Sequence, residues 1–367
     1  FLLSPFTDLH LHAPQFLYQG TGLDLPLLQW LHQYAFKAEA SLDCNPSLAR
    51  KVYRQLGRRL IKAGTGAVCL FGTLDLKGET NLILVEEMRK AGIRAFVGKV
   101  SMDISSRPEY VEASANAAVA SAREFGVKVA SSSSPSLVHP VITPRFVPTC
   151  SDELLHGLGA LAKEKGWRIQ SHMAESRDQV DNNNSFTHLA KLGTSIAHCP
   201  LSNIYFSASR SFALREALDA DVKVGLGTDV AGGYSLDIMS AMRTAVAVSR
   251  IREGQREKEP CGVNATNGPN AKSLAIDWKE SLFLATSGGA KALGIDSGLF
   301  AVGRPFDAQQ ICLLDTNRVG VGALDFFELE KEKTSEDRSI QLLDEMIEKW
   351  WCVGDERNRM GMWIQGA

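Results

Sequence analysis

The sequence predicts an α/β fold of the (β/α)8 TIM-like barrel type, short of one βα unit and carrying a small β-rich appendage. Three observations carry the prediction. Short apolar runs end in polar or glycine residues. Helix-like stretches separate most of them. The alternation recurs at roughly 30 residues, the length of a βα unit in a parallel sheet. Many such units favour a closed barrel over an open sheet. An open dinucleotide-binding sheet would need a Gly-x-Gly-x-x-Gly turn after its first strand, and here that strand ends in Asp8-Leu9-His10-Leu11-His12.

Seven strands can be counted: Phe6 to Leu11, Ala67 to Phe71, Arg94 to Val100, Val138 to Val147, Trp167 to His172, Ser195 to His198 and Val222 to Gly227. Helices are expected over Leu48 to Ala63, Asn81 to Lys90 and Asp152 to Lys165, the last with Ser151 as N-cap. The long segment between the first two strands holds a loop with Gly20, Gly22 and Pro26, which reads as an active-site loop over the barrel mouth. Ser131 to Pro135 reads as a solvated connection and Ile251 to Ser273 as a surface insertion. Beyond Leu293 come short β-like runs, Phe306 to Leu314 and Met360 to Gln365, with a charged face at Glu328 to Asp337 between them. The barrel is therefore placed at residues 5–293 and the appendage at 294–367.

Composition bounds the function. Forty Lys and Arg against 42 Asp and Glu give a net charge of -2, which argues against a nucleic-acid or anionic-membrane surface. No run of about 18 apolar residues occurs that would span a membrane. The seven cysteines, Cys44, Cys69, Cys150, Cys199, Cys261, Cys312 and Cys352, are scattered and contain no C-x-x-C pair. That pattern suits a reducing compartment, hence the cytoplasm, rather than a disulfide scaffold or a four-cysteine zinc site.

The chemistry sits at strand ends. Residues two apart on a strand point the same way, so His10 and His12 offer two inward imidazoles as zinc ligands, with Asp8 available to orient one of them. His172 ends another strand and Glu175 follows three residues later, an arrangement in which a metal ligand is paired with a proton-carrying carboxylate. Gly227-Thr228-Asp229 ends the last barrel strand, where a carboxylate serves either as a weak metal ligand and proton acceptor or as a helix N-cap. His32, His139, His156, His188 and His198 have no partner pattern and read as structural or surface residues.

His-x-His, His-x-x-Glu and Gly-Thr-Asp at first, middle and last strand ends resemble the amidohydrolase superfamily of metal-dependent hydrolases. Longer segments resemble its guanine deaminases: Asp8 to Phe16, Gly22 to Leu28, Thr143-Pro144-Arg145-Phe146, Gln170 to Glu175, Ala197-His198-Cys199-Pro200, Gly225 to Tyr234, Ala285 to Ala290 and Trp350-Trp351. The resemblance implies one zinc per chain, a homodimer, and hydrolysis of guanine to xanthine and ammonia. It implies zinc ligation by His10, His12, His172 and Asp229, and proton transfer by Glu175 and Asp229. It implies guanine binding by Gln15, Arg145 and Phe146, whose amide, forked donors and ring suit a flat purine.

Two departures stand out. The family carries a further His ligand in an Ala-His-Gly strand between the His-x-x-Glu and Ala-His-Cys-Pro strands, and nothing here matches it. The family also begins with a β-rich segment that pairs with its C-terminal strands, whereas this chain is expected to begin at the first barrel strand. Two alternatives therefore stand beside guanine deamination: a deaminase-like binding protein with impaired chemistry, and a related amidohydrolase acting on another amino-substituted ring such as cytosine.

Overall fold

The computed structural model describes residues 1–105, 107, 109–131, 137–173, 186–206, 211–256, 272–313 and 336–366. A central run of parallel strands joins β2 (Phe6–His12), β3 (Thr65–Phe71), β4 (Arg94–Gly98) and β6 (Val138–Pro144) in that spatial order. The two-residue β5 (Val100–Ser101) and β7 (Arg168–Ile169) also pair with β6 in parallel. A second parallel pair is formed by β8 (Ser195–His198) and β9 (Lys223–Leu226). The two groups meet at the strand ends, where the Asp229 amide donates to the His10 carbonyl at 2.8 Å and the His12 amide to the Val230 carbonyl at 3.0 Å. The seven expected barrel strands are all present, in the expected order.

Side-chain alternation builds two layers. Ala67 and Cys69 of β3 join Leu9, Phe96 and Val141 in the barrel interior, while Val68 and Leu70 face outward. Outside, they meet Leu56 and Leu60 of α3 (Pro46–Lys62) and Leu84 and Met88 of α4 (Thr80–Ala91). Both helices begin and end for identifiable reasons. Asn45 caps α3 by accepting from the Leu48 amide at 3.0 Å, and Gly92 ends α4 in the left-handed conformation at φ 70°. Ser151 accepts from the Leu154 amide and caps Asp152–Lys165, as expected.

Among the described residues, β7 and β8 do not pair with each other. The strands β2, β3 and β4 are buried along their whole length. In β7, by contrast, both residues are exposed, Ile169 by 53%, and most of β8 is half-buried. Among the described residues no strand lies between these two edges, and only the short helix Phe186–Lys191 precedes β8.

Two expectations need correction, and a third is met in part. The loop with Gly20, Gly22 and Pro26 is present at 19–26, both glycines at positive φ, 77° and 75°. It lies between a 3-10 turn, Ala13–Tyr18, and a nearly continuous helix made of α1 (Leu27–Trp30), a π turn at Leu31–Ala35 and α2 (Phe36–Cys44). Buried Trp30, Ala35 and Leu42 anchor it on the barrel. Ile251 to Arg256 are not part of an insertion but complete the helix Ile238–Arg256; residues 257–271 lie outside the described set. Nor does the chain begin at the first barrel strand. β1 (Leu2–Leu3) pairs antiparallel with β10 (Ala308–Ile311), which pairs with β11 (Arg359–Trp363). The C-terminal part of the chain also holds a helix, Glu336–Val353, whose Trp350 stacks on Phe6 of β2 with ring centres 6.2 Å apart. The serine-rich connection at 132–136 and residues 314–335, including most of the charged run, lie outside the described residues.

Candidate metal and substrate site

Three strand ends converge at one rim of the barrel. His10 and His12 lie at the end of β2. His172 lies just past β7 and is bridged to Phe146 in parallel register. Asp229 lies just past β9. Gly227 makes the approach possible: a side-chain carbon there would stand 2.7 Å from Cys199 Sγ and 2.9 Å from His10 Cβ. Ring nitrogens of His10, His12 and His172 all fall within 4.8 Å of one another. Asp229 Oδ1 is 3.0 Å from His10 Nε2 and 3.7 Å from His12 Nε2. Asp229 reaches them from a left-handed backbone conformation, φ 49°, which costs a non-glycine residue on the order of 1 kcal/mol and is held by its surroundings. Asp8 does not orient an imidazole. Its carboxylate accepts from the His10 and Thr228 amides at 3.1 and 3.0 Å and from the Thr228 hydroxyl at 2.6 Å, and so ties the first strand to the last.

The electrostatics favour a cation. His172 Nδ1 lies 2.6 Å from the Arg145 carbonyl, which can only accept, so Nδ1 carries the hydrogen and Nε2 a lone pair. Burial, reinforced by His10, pushes His172 down to about 3. Burial and the neighbouring His172 and His10 hold His12 well below the usual imidazole range. Both rings are therefore neutral at pH 7. Asp229 is desolvated, but His10 and the Ser202 hydroxyl outweigh burial and keep it below the usual carboxylate range, an anion.

His12 Nε2 faces the His172 lone pair at 2.9 Å. If His12 Nε2 carries the hydrogen, buried His12 Nδ1 is an acceptor with no hydrogen-bond partner; if Nδ1 carries it, two lone pairs meet. A divalent cation that takes both Nε2 lone pairs, with the His12 hydrogen on Nδ1, removes their clash, and three imidazoles with one carboxylate suit zinc. The residues present fit the ion.

Beside this cluster lies a layer of polar donors. Arg145, next to His172 through its carbonyl, lays its guanidinium over the Phe36 ring at 4.9 Å. Gln15, in the turn after β2, accepts from the Ala231 amide at 3.3 Å through Oε1 and points Nε2 toward Glu39. Phe146 is half-buried at the rim. Glu175 lies outside the described residues. Two neighbours escape a reading of the sequence. Phe71 packs against His10, His12 and His172 with ring centres 4.5–4.9 Å apart; its place at the end of an apolar strand was the only signal. Glu39 is buried completely beneath Arg145, and a lone glutamate in a helix carries no signal at all.

A model of the amidohydrolase family matches residues 1–188 and 180–335. The chain belongs to the amidohydrolase family. Among this amidohydrolase's relatives, guanine deaminase of Dictyostelium discoideum is 33% identical over 402 residues, covering 100% of the chain and 82% of the relative. Guanine deaminase of Homo sapiens is 35% identical over 403 residues, with 100% and 82% covered. Among solved structures, guanine deaminase of C. acetobutylicum with guanine in its active site superposes with a TM-score of 0.83 at 29% identity, over 100% of this chain and 86% of that one. The family match falls into two pieces that overlap at 180–188, between β7 and β8.

Proposed function

We propose that this amidohydrolase is a guanine deaminase, converting guanine and water to xanthine and ammonia with one zinc ion per chain. The observation that carries the reading is the continuity of the two layers. The carbonyl of Arg145 sets the hydrogen on His172, and its side chain lies in the same layer as Gln15. A residue that orients a metal ligand and also presents ring-binding donors fixes the substrate's distance from the metal.

His10, His12, His172 and Asp229 would hold the zinc. When bound, zinc acts as a Lewis acid and lowers the pKa of a coordinated water to about 7. The protein's own groups do the rest. Arg145 has donors only, so the ring edge it meets must be an acceptor pair; O6 and N7 of guanine supply one, whereas the 6-amino group of adenine would set donor against donor. Phe146 offers an aromatic face for the ring. As the water oxygen bonds to C2, Glu175 takes one of its protons and delivers it to ring N3, where it stays. Asp229 takes the second water proton as the C2 carbonyl forms; that proton passes through Glu175 to the amino nitrogen, so the C2–N bond breaks, ammonia leaves and both carboxylates are restored.

The test is ammonia release from the zinc-loaded chain over a panel of guanine, adenine, cytosine and an amino-triazine. Turnover of guanine alone or foremost is expected. Turnover of cytosine without guanine overturns the reading, as does guanine binding by a chain that holds no zinc, which would mark a binding protein.

A further inference from the structure

We infer that Glu39 is a positioning residue for the substrate subsite: its buried carboxylate holds Arg145 and Gln15 as one rigid pair of donors. The inference rests on the guanine reading above. Four groups converge on Glu39. Arg145 Nη1 donates to Oε2 at 2.8 Å and Nη2 to Oε1 at 3.0 Å, a two-pronged contact that fixes the plane of the guanidinium as well as its place. The Tyr110 hydroxyl donates to Oε2 at 2.8 Å while accepting from the Leu74 amide at 3.2 Å. Gln15 Nε2 approaches Oε1 at 3.5 Å. Glu39 is 0% exposed and Arg145 4%.

The arrangement determines polarity. A carboxylate accepts only, so the amide of Gln15 must turn its NH2 toward Glu39 and its oxygen toward the Ala231 amide. Neither orientation survives without the negative charge at the hub. Phe36, one helical turn before Glu39 on α2, supports the guanidinium from below, so one helix face supplies both the anchor and the floor. Burial and the Glu39 and Asp43 carboxylates hold the Tyr110 phenol well above its usual range, so it stays a donor. A purely structural ion pair would not need three different donors aimed at one carboxylate beside a metal cluster.

Glu39→Gln keeps the shape and removes the charge. Its amide would present a donor to Arg145 where an acceptor stood. In the zinc-loaded full chain it should raise the KM for guanine about tenfold to a hundredfold, the equivalent of one charged hydrogen bond, while kcat changes by less than about threefold and zinc content is kept. Tyr110→Phe, which removes one donor to the hub, should shift KM the same way by a smaller factor. Arg94→Met breaks a different buried pair, Arg94 to Asp307 at 2.8 Å, at the start of β4, and should lower stability without raising KM. An unchanged KM in Glu39→Gln, a loss confined to kcat, or an equal KM rise in Arg94→Met overturns the inference. If the wild-type chain neither binds nor turns over guanine, it is the substrate reading that has failed. The position of the Arg145 guanidinium in a crystal structure of Glu39→Gln then decides: displaced from Phe36 supports the role of Glu39, unchanged refutes it.

Discussion

His172 has two nitrogens with two tasks, and the contrast with Glu175 three residues later makes both testable. Nδ1 is committed to the Arg145 carbonyl at 2.6 Å and Nε2 faces His12 at 2.9 Å. His172→Ala removes a ligand and should lose both zinc and turnover. Glu175→Gln keeps shape but can neither give nor take a proton, so turnover should fall at least about a hundredfold while zinc stays bound. Metal content and single-turnover rate measured on the same preparations check both. Loss of zinc from Glu175→Gln would make that residue a ligand, and near-normal turnover would assign the proton to another group. That His10, His12, His172 and Asp229 meet was legible in the sequence because each lies at or just past the end of a strand, where the barrel's topology gathers chemistry at one rim. Glu39 was not, because its partners Gln15, Tyr110 and Arg145 stand far apart in the chain and meet only on folding. Asp8 was misread for a related reason: alternation along β2 correctly turned it inward, but the acceptor it offers is taken up by Thr228, far away in sequence.

At the scale of elements, strands were easier to read than the segment that covers them. β3 and β9 announce themselves as apolar runs with glycine before or after, and β2 as a short alternating run. In the stretch from Ala13 to Cys44, Gly20, Gly22 and Pro26 mark a loop at 19–26 that the sequence announces, whereas the helix that follows it was not legible: it forms because Trp30, Ala35 and Leu42 find apolar partners on α3 and the barrel. The end of that helix is tied down by Asp43. Its carboxylate accepts from the Thr73 hydroxyl at 2.5 Å and the Asp75 amide at 3.1 Å, and Asp75 in turn caps α4 through the Glu79, Thr80 and Asn81 amides. Burial, opposed by the Thr73 hydrogen bond but aided by the Asp75 charge, pushes Asp43 from 3.8 up to about 6. The sign follows from linkage: the folded state binds the proton first, so stability rises as pH falls through 6 and levels off below the unfolded value near 4. Asp43→Asn lacks this proton uptake. Between pH 7 and pH 4 the wild type should therefore gain on the order of 2 kcal/mol relative to Asp43→Asn. Urea midpoints of the two proteins at both pH values measure it; parallel pH profiles would show that Asp43 titrates normally.

At the scale of the whole molecule, the described strands close tightly at one seam and leave two edges without a described strand between them at the other. Closure at β9 and β2 is dense: Asp229 and His12 bond across it, Asp8 bridges it, and Gly227 lets the chains touch. The opposite seam, between β7 and β8, leaves Ile169 exposed and β8 half-buried. Alignment with the Dictyostelium relative runs over 402 residues for a chain of 367, so that relative carries segments this chain lacks. The two-piece family match breaks at the same seam. A count of seven strands was therefore legible in the sequence, because each βα unit is a local pattern. How the open edges are satisfied was not, because edge pairing is a property of the assembled sheet. A βα unit inserted between β7 and β8, its strand ending in Ala-His-Gly, should have two separable effects. It would cover both edges, and the chain should unfold at higher temperature. It would also add an imidazole near His172. With structural zinc sites worth about 10–16 kcal/mol over four ligands, one more ligand is worth roughly 3 kcal/mol, or on the order of a hundredfold in zinc affinity. A second insert ending in Ala-Ala-Gly separates the two: it should raise the unfolding temperature equally and leave zinc affinity where it is. Competition with a chromophoric chelator and a thermal melt on the three chains provide the measurements. If the Ala-His-Gly insert binds zinc no more tightly than the parent, the ligand set His10, His12, His172 and Asp229 is already sufficient, and the seam bears on the stability of the barrel alone.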